Sequence, residues 1–178
     1  MKPTSLTHVR IVGAGLIGTS IALGLVQRGV SIQMIDASTS AQSLATDLVG
    51  GVEVVDPELV IFALPTSRLP MVIASEFELN PHSTFMDVGS VKGEVALQIE
   101  TFPGLKTRFV PTHPMAGREI GGAGSARGDL FQGRSWILTP NPELLQSSKN
   151  LVVEVITTLG ASPIELSPSD HDRAVAKI

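Results

Sequence analysis

A chain of 178 residues with 43% hydrophobic and 17% charged residues is long enough to bury a sizeable core and has a globular rather than a disordered profile. A formal net charge of only -4, with no Lys or Arg cluster interleaved with aromatics, argues against a nucleic-acid surface. The absence of cysteine excludes disulfides and thiolate metal sites and makes the cytoplasm the default expectation.

The first residues, MKPTSLTHVRIVGAGLIG, carry a charge at Lys2, but Arg10 and glycines break the apolar run, and no small-residue cleavage pattern follows. Uninterrupted apolar segments fall well short of the roughly 20 residues that a membrane helix needs, so neither a signal peptide nor a membrane partner is expected. Val9 to Val12 is a β-branched run ending at a glycine cluster, and Ile17, Ile21 and Leu25 then recur every four residues from Leu16 to Arg28. That is a strand, a turn and a helix, closed by Gly29 and followed by a second strand, VSIQMID, that ends at Asp36.

The alternation continues. Ala41 to Val49 reads as a short helix, Leu59 to Pro65 as a buried strand, Arg68 to Phe77 as a helix, Ser83 to Ser90 as a fourth strand and Lys92 to Thr101 as another helix. TRFVPTH and RSWILTP give a fifth and a sixth strand, with Gly121 to Gly133 as an ordered loop between them. Asn141 is expected to cap a helix with Pro142 at its first position, burying Leu144, Leu145, Leu151, Val152, Val155, Ile156 and Leu159 and stopping at Gly160. Ser167, Pro168 and Asp170 then start a last helix whose apolar residues are Ala174, Val175 and Ile178. Strands alternating with helices over short connections imply a Rossmann-type, doubly wound α/β fold with a mostly parallel sheet and helices on both faces. No capping residue follows Ile178, so the expectation is one domain over residues 1–166, with 167–178 opening a second, helical domain that this chain lacks.

A lone G-x-G-x-x-G is a weak signal, but Gly13, Gly15 and Gly18 lie between a strand and a helix, and an acidic residue ends the next strand. Gly13 permits the tight turn, Gly15 lets the backbone approach a pyrophosphate, and Gly18 lets helix and strand pack closely. The N–H groups of Leu16 and Ile17 open the helix that would receive the phosphates. Asp36 is placed to accept the adenosine ribose hydroxyls and to repel a 2′-phosphate, which favours NAD over NADP, and no arginine follows it closely. The bland alternative is a tight turn and a solvated strand end. Ligands of such sheets lie beyond the carboxyl ends of the strands, so Ala63, Leu64 and Pro65 and the Gly89–Ser90 turn are expected to face the cofactor. For Leu64 and Pro65, a strand merely ended by proline reads equally well.

Of the four histidines, His8 and His82 read as surface residues, and His171 as a packing or capping residue beside Asp172. Histidines without ligand spacing give no metal site. His113 alone ends a core strand on the ligand side. Oxidation of an alcohol by hydride transfer leaves a hydroxyl proton, and imidazole, with an ordinary pKa of about 6.5, is suited to accept it. Ser90 could bond the substrate hydroxyl or the imidazole, though from local sequence alone an ordinary helix cap for Val91 onward is the stronger reading.

GAGLIGTS, MDVGSVKG, THPMAGREIGG, LFQGRSWILTP and HDRAVA, in this order and spacing, resemble the prephenate and arogenate dehydrogenases of tyrosine biosynthesis over essentially the whole chain. The resemblance implies NAD-dependent oxidation of prephenate or arogenate with loss of carbon dioxide, giving 4-hydroxyphenylpyruvate or tyrosine. It implies that His113 takes the proton of the ring 4-hydroxyl, that Ser90 orients that hydroxyl, and that Lys92 and Glu119 shape the loops. It further implies a helical domain, beyond HDRAVA, that forms a homodimer and grips the substrate. Two other readings stand beside it: another NAD-dependent dehydrogenase with a helical C-terminal domain, of the 3-hydroxy-acid type, and a non-catalytic NAD-binding module.

Overall fold

The computed structural model describes residues 4–102, 104–116 and 121–177. In chain order the strands are β1 (His8–Val12), β2 (Ser31–Ile35), β3 (Leu59–Phe62), β4 (Thr84–Asp87), β5 (Phe109–Pro114), β6 (Ser135–Leu138) and β7 (Ser162–Glu165). The helices are α1 (Leu16–Val26), α2 (Thr39–Val49), α3 (Leu69–Leu79), α4 (Gly93–Glu100), α5 (Gln146–Thr158) and α6 (Pro168–Val175). One sheet runs β2-β1-β3-β4-β5-β6-β7. Every pairing is parallel except β5 with β6, where His113 stands opposite Ile137. The chain leaves β5 and enters β6 from the same end of the sheet, and α5 then crosses back to set β7 parallel to β6.

Alternation along the strands divides the core into two layers. Leu59, Ile61, Met86 and Val110 meet Ile21 and Leu25 of α1, Ala45 and Val49 of α2, and Val152, Val155 and Ile156 of α5. Val60, Phe62, Phe85 and Phe109 face the other way, against Leu69 and Ile73 of α3 and Val95 and Ile99 of α4. The Phe62 ring stacks 6.2 Å from Phe85 and 6.1 Å from Phe109. The fold is therefore the doubly wound, Rossmann-type α/β sheet that the sequence implies.

Three local differences have physical causes. The helix expected from Pro142 begins only at Gln146, because residues 141–145 form a turn bound to the chain that enters β5. Asn141 accepts the Glu143 N–H at 2.8 Å and donates to the Lys106 carbonyl at 2.9 Å, and the Leu145 N–H donates to Thr107. Leu145 is consequently exposed and Leu144 half-buried, whereas Val152, Val155, Ile156 and Leu159 are buried as expected. Strand β7 has no counterpart in the sequence reading: all four residues are exposed, so alternation is absent, and Pro163 suits an edge. Helix α6 has the expected Ser167 cap, which accepts the Asp170 N–H at 3.1 Å, but its buried residue is His171. Ala174 is exposed and Val175 half-buried, and Ile178 lies outside the described residues. The loop before β6 is ordered: Phe131 packs 4.8 Å from Trp136, and the Arg127 N–H donates to Ser20 of α1 at 3.0 Å.

Candidate functional site

Strand register gathers the predicted residues at one edge. Ile35, Val12, Phe62, Asp87 and Pro111 stand side by side across β2, β1, β3, β4 and β5. Asp36, Gly13 and Ala63 each lie one residue beyond that row, and His113 lies two beyond it. Three strand spacings, about 14 Å, separate the Val12 and Pro111 positions.

The glycine turn has three different reasons for its three glycines. Gly13 has φ +118°, and a Cβ there would stand 2.1 Å from the Ala63 carbonyl oxygen. A Cβ on Gly18 would stand 2.1 Å from the Gly13 carbonyl oxygen, so α1 reaches the turn only without a side chain. Gly15 is different, because among the described residues a Cβ there meets nothing within 4 Å. Space, not protein, lies against it. Gly15 also precedes the first residue of α1, a helix with no side-chain cap and no acidic residue in its first turn. Its leading N–H groups and the positive end of its dipole are thus available to an anion.

A cavity of about 560 Å³ opens at this turn, and its walls include Gly13, Gly15, Asp36, Ala63, Leu64 and Pro65. Six of the residues named for the cofactor therefore share one space. Leu16 and Gly18 are buried behind it, Ile17 is half-buried, and none of the three is in its wall. Val12 and Ala37 line it too, as do Arg68, just ahead of α3, and Met71 and Val72 in its first turn; sequence reading missed these last three, since an arginine some thirty residues from Asp36 gives no local signal. The Asp36 carboxylate receives the Ala14 N–H at 2.7 Å and the Ser38 N–H at 2.8 Å, which fixes it at the mouth of the turn. An extended dinucleotide fits these residues: apolar walls, a carboxylate for ribose hydroxyls, and bare backbone at a helix N-terminus for phosphates. Among the described residues no group of three or more His, Asp or Glu could hold a metal ion, and no helix is long and apolar enough to cross a membrane.

His113 is half-buried at the same edge, outside the wall of that cavity. The backbone beneath it is held by a buried ion pair, Lys92 with Asp87. Lys92 also donates to the Thr112 carbonyl at 2.7 Å, and Asp87 accepts the Thr112 N–H at 3.1 Å and the Gly89 N–H at 2.9 Å. The Thr112 hydroxyl donates to the Asp87 carbonyl at 2.6 Å and receives the Trp136 indole N–H at 2.9 Å. Lys92 thus ties the loop after β4 to β5. Burial pushes its ammonium pKa down, against the raising pull of Asp87 and Asp172.

The histidine itself is pushed down to about 4, first by burial, then by His171 and Lys92, with Asp172 opposing. At neutral pH its imidazole is uncharged and able to accept a proton. Its Nδ1 lies 2.9 Å from Nε2 of His171, which is fully buried and so has more than a packing contact. His171 does not cap α6, a role filled by Ser167. Ser90 is exposed in the turn beyond β4 and lies outside the cofactor cavity's wall. It does not cap α4, which has Lys92 at its N-cap. Glu119 lies outside the described residues.

Residues 13–165 match the family model for the prephenate dehydrogenase nucleotide-binding domain. The chain is 34% identical over 169 residues to a probable prephenate dehydrogenase, NovF, of Streptomyces niveus, covering 93% of this chain and 47% of that protein. It spans about half the length of the curated relatives it matches. A structure of prephenate dehydrogenase from A. aeolicus in complex with hydroxyphenyl propionate and NAD+ superposes with a TM-score of 0.88 at 29% identity, over 97% of this chain and 64% of that one. Arogenate dehydrogenase of Synechocystis gives 0.84 at 27% identity, over 96% and 63%. With the dinucleotide cradle and His113 on one sheet edge and a family match over most of its length, the chain belongs to the prephenate dehydrogenase family, of which it carries the nucleotide-binding domain.

Proposed function

We propose that this chain is the NAD-binding and proton-accepting half of an enzyme that oxidatively decarboxylates prephenate or arogenate, with NAD rather than NADP as cofactor. The observation that carries the reading is His113, neutral at pH 7 and set at the same strand edge as the glycine cradle. Bound NAD would supply the hydride acceptor. Gly15 and the first N–H groups of α1 would receive its pyrophosphate, Asp36 its adenosine ribose, and Leu64, Pro65 and Met71 its apolar faces.

His113 accepts the proton of the ring 4-hydroxyl as the hydride leaves the same carbon. A base with a pKa near 4 is weak, but the demand on it is small. Loss of hydride turns the carbinol into a protonated ketone, whose O–H is far more acidic than the alcohol. The electron pair of the bond to the ring carboxylate then enters the ring as carbon dioxide departs, and the phenolate oxygen takes the proton back from His113 to give the phenol. Aromatisation makes the sequence effectively irreversible. Ser90, exposed beyond β4, is free to turn toward the hydroxyl and orient it. Residues from 167 onward would open a helical domain that completes the substrate site and pairs two subunits.

The test is NAD reduction by the native gene product with prephenate and with arogenate, beside His113→Asn. NADH formation from either substrate, lost by about a hundredfold or more in the variant, is expected. No NADH from either substrate overturns the reading, and wild-type turnover in the variant overturns the role of His113.

A further inference from the structure

His171 has no part in the function proposed above, yet it is buried, and a buried polar ring needs partners on both nitrogens. Its Nε2 lies 2.9 Å from Nδ1 of His113, with the two rings edge to face at 5.1 Å between centroids. Its Nδ1 lies 2.7 Å from Oδ1 of Asp172. Asp172 is fixed in turn from the other side of the site. Its Oδ1 accepts the Lys92 N–H at 2.9 Å and its Oδ2 the Gly93 N–H at 2.8 Å. Helix α4 has no side-chain cap of its own, so Asp172 of α6 serves as one. The carboxylate that caps α4 is therefore also the end of a hydrogen-bonded chain that reaches His113.

The chain has a direction. Burial pushes the Asp172 carboxyl up, but the Lys92 N–H, the His171 ring and the Gly93 N–H outweigh it and hold the group below the usual carboxylate range. A carboxylate only accepts, so the hydrogen between them sits on Nδ1 of His171. A ring with a single proton there presents Nε2 as an acceptor. Nδ1 of His113 must then donate to it, which leaves Nε2 of His113 bare.

We infer that Asp172 and His171 are positioning residues that lock His113 in the tautomer with hydrogen on Nδ1, making Nε2 the atom that accepts the substrate proton. This rests on His113 as the base. When Nε2 takes the proton, Nδ1–H already points at His171, and the imidazolium is stabilised through that ring by Asp172 without any rotation. Among the described residues, the charged and titratable groups facing His113 are His171 and Asp172 of α6 and Lys92 ahead of α4, the last paired with Asp87 of β4. Only Asp172 among them favours the imidazolium.

Nitrogen NMR of the 178-residue chain with ring-labelled histidine reads the tautomer directly, with no substrate or second domain required. At pH 7 His113 is expected to show a protonated Nδ1 and a bare Nε2. His171→Asn keeps an amide against Asp172 but leaves His113 without an acceptor, and hydrogen is expected to move toward Nε2. His171→Gln places an amide oxygen near the lost Nε2 and is expected to restore the wild-type pattern. In the native gene product the Asn variant should lose about tenfold or more in kcat at little change in KM for NAD, and Gln should recover most of it. Hydrogen on Nε2 in the wild type, or an unmoved tautomer in folded His171→Asn, overturns the inference. Absence of prephenate and arogenate oxidation would overturn the function proposed above while leaving the tautomer result standing.

Discussion

Ala63 lies so close to Gly13 that a Cβ on the glycine would stand 2.1 Å from the Ala63 carbonyl oxygen, whereas the same atom on Gly15 would touch nothing among the described residues. One glycine is required by the protein and the other, on the function proposed, by the dinucleotide it would hold. Gly13→Ala should therefore destabilise the fold, through both the contact and the φ of +118°, by about 3 kcal/mol or more, or about 6–12 °C in a domain of this size. Gly15→Ala should melt with the wild type and lose at least about tenfold in dinucleotide affinity. Calorimetry and NAD titration of the two variants separate these effects. Equal losses of stability would show that Gly15 has a structural role after all.

Among the described residues, Asp36 is the only acidic side chain in the wall of the dinucleotide cavity, and Arg68 the only basic one. On the function proposed, removing the carboxylate would remove the acceptor for the ribose hydroxyls and the repulsion against a 2′-phosphate, and would leave Arg68 in place. In Asp36→Ala the Kd for NAD should rise by about tenfold to a hundredfold, the worth of one or two hydrogen bonds to a charged group. The NADP to NAD affinity ratio should rise as well. Fluorescence titration with both dinucleotides checks this, and an unchanged ratio would show that Asp36 does not set the preference.

The parts legible in the sequence are those whose cause is local. The turn from β1 to α1 announces itself through glycines a few residues apart, and the buried strands through short apolar runs closed by Gly or Pro. His113 could be placed because β5 carries both a hydrophobic run and its end. What was not legible depends on partners distant in sequence. His171 meets His113 across 58 residues, and Asp172 meets Lys92 across 80, so no window of sequence contains either pair. Asn141 carries the side chain of a helix cap, but tertiary bonds to Lys106 turn it to another use. β7 is an exposed edge strand and lacks the alternation that a half-buried strand would print.

Lys92 and Asp87 form a buried pair beneath His113, with Lys92 fully buried. Deleting one charge leaves the other without its partner in a site where water does not replace it. Lys92→Met should destabilise the fold by about 3–5 kcal/mol, whereas Lys92→Met with Asp87→Leu should recover part of that loss. The recovery should not extend to turnover in the native gene product, because the apolar pair no longer holds Thr112 and the turn at Gly89. Denaturant unfolding of the single and double variants is the measurement. A double variant that is no more stable than Lys92→Met would mean that the Asp87 bonds to the backbone, and not the charge pair, dominate.

His113 gives the pH dependence a defined sign. Its folded pKa is about 4 and the unfolded value about 6.5, so between those limits the unfolded chain binds a proton that the folded chain does not. Its contribution to stability is complete above pH 6.5 and is lost progressively as the pH falls toward 4. The wild type should therefore lose stability more steeply than His113→Asn on acidification through that window, while the two profiles run parallel above it. Denaturant midpoints at closely spaced pH values test this, and NMR titration of His113 should give a midpoint near 4. Parallel profiles throughout, with a midpoint near 6.5, would mean that burial and the neighbouring His171 and Lys92 do not hold the imidazole neutral.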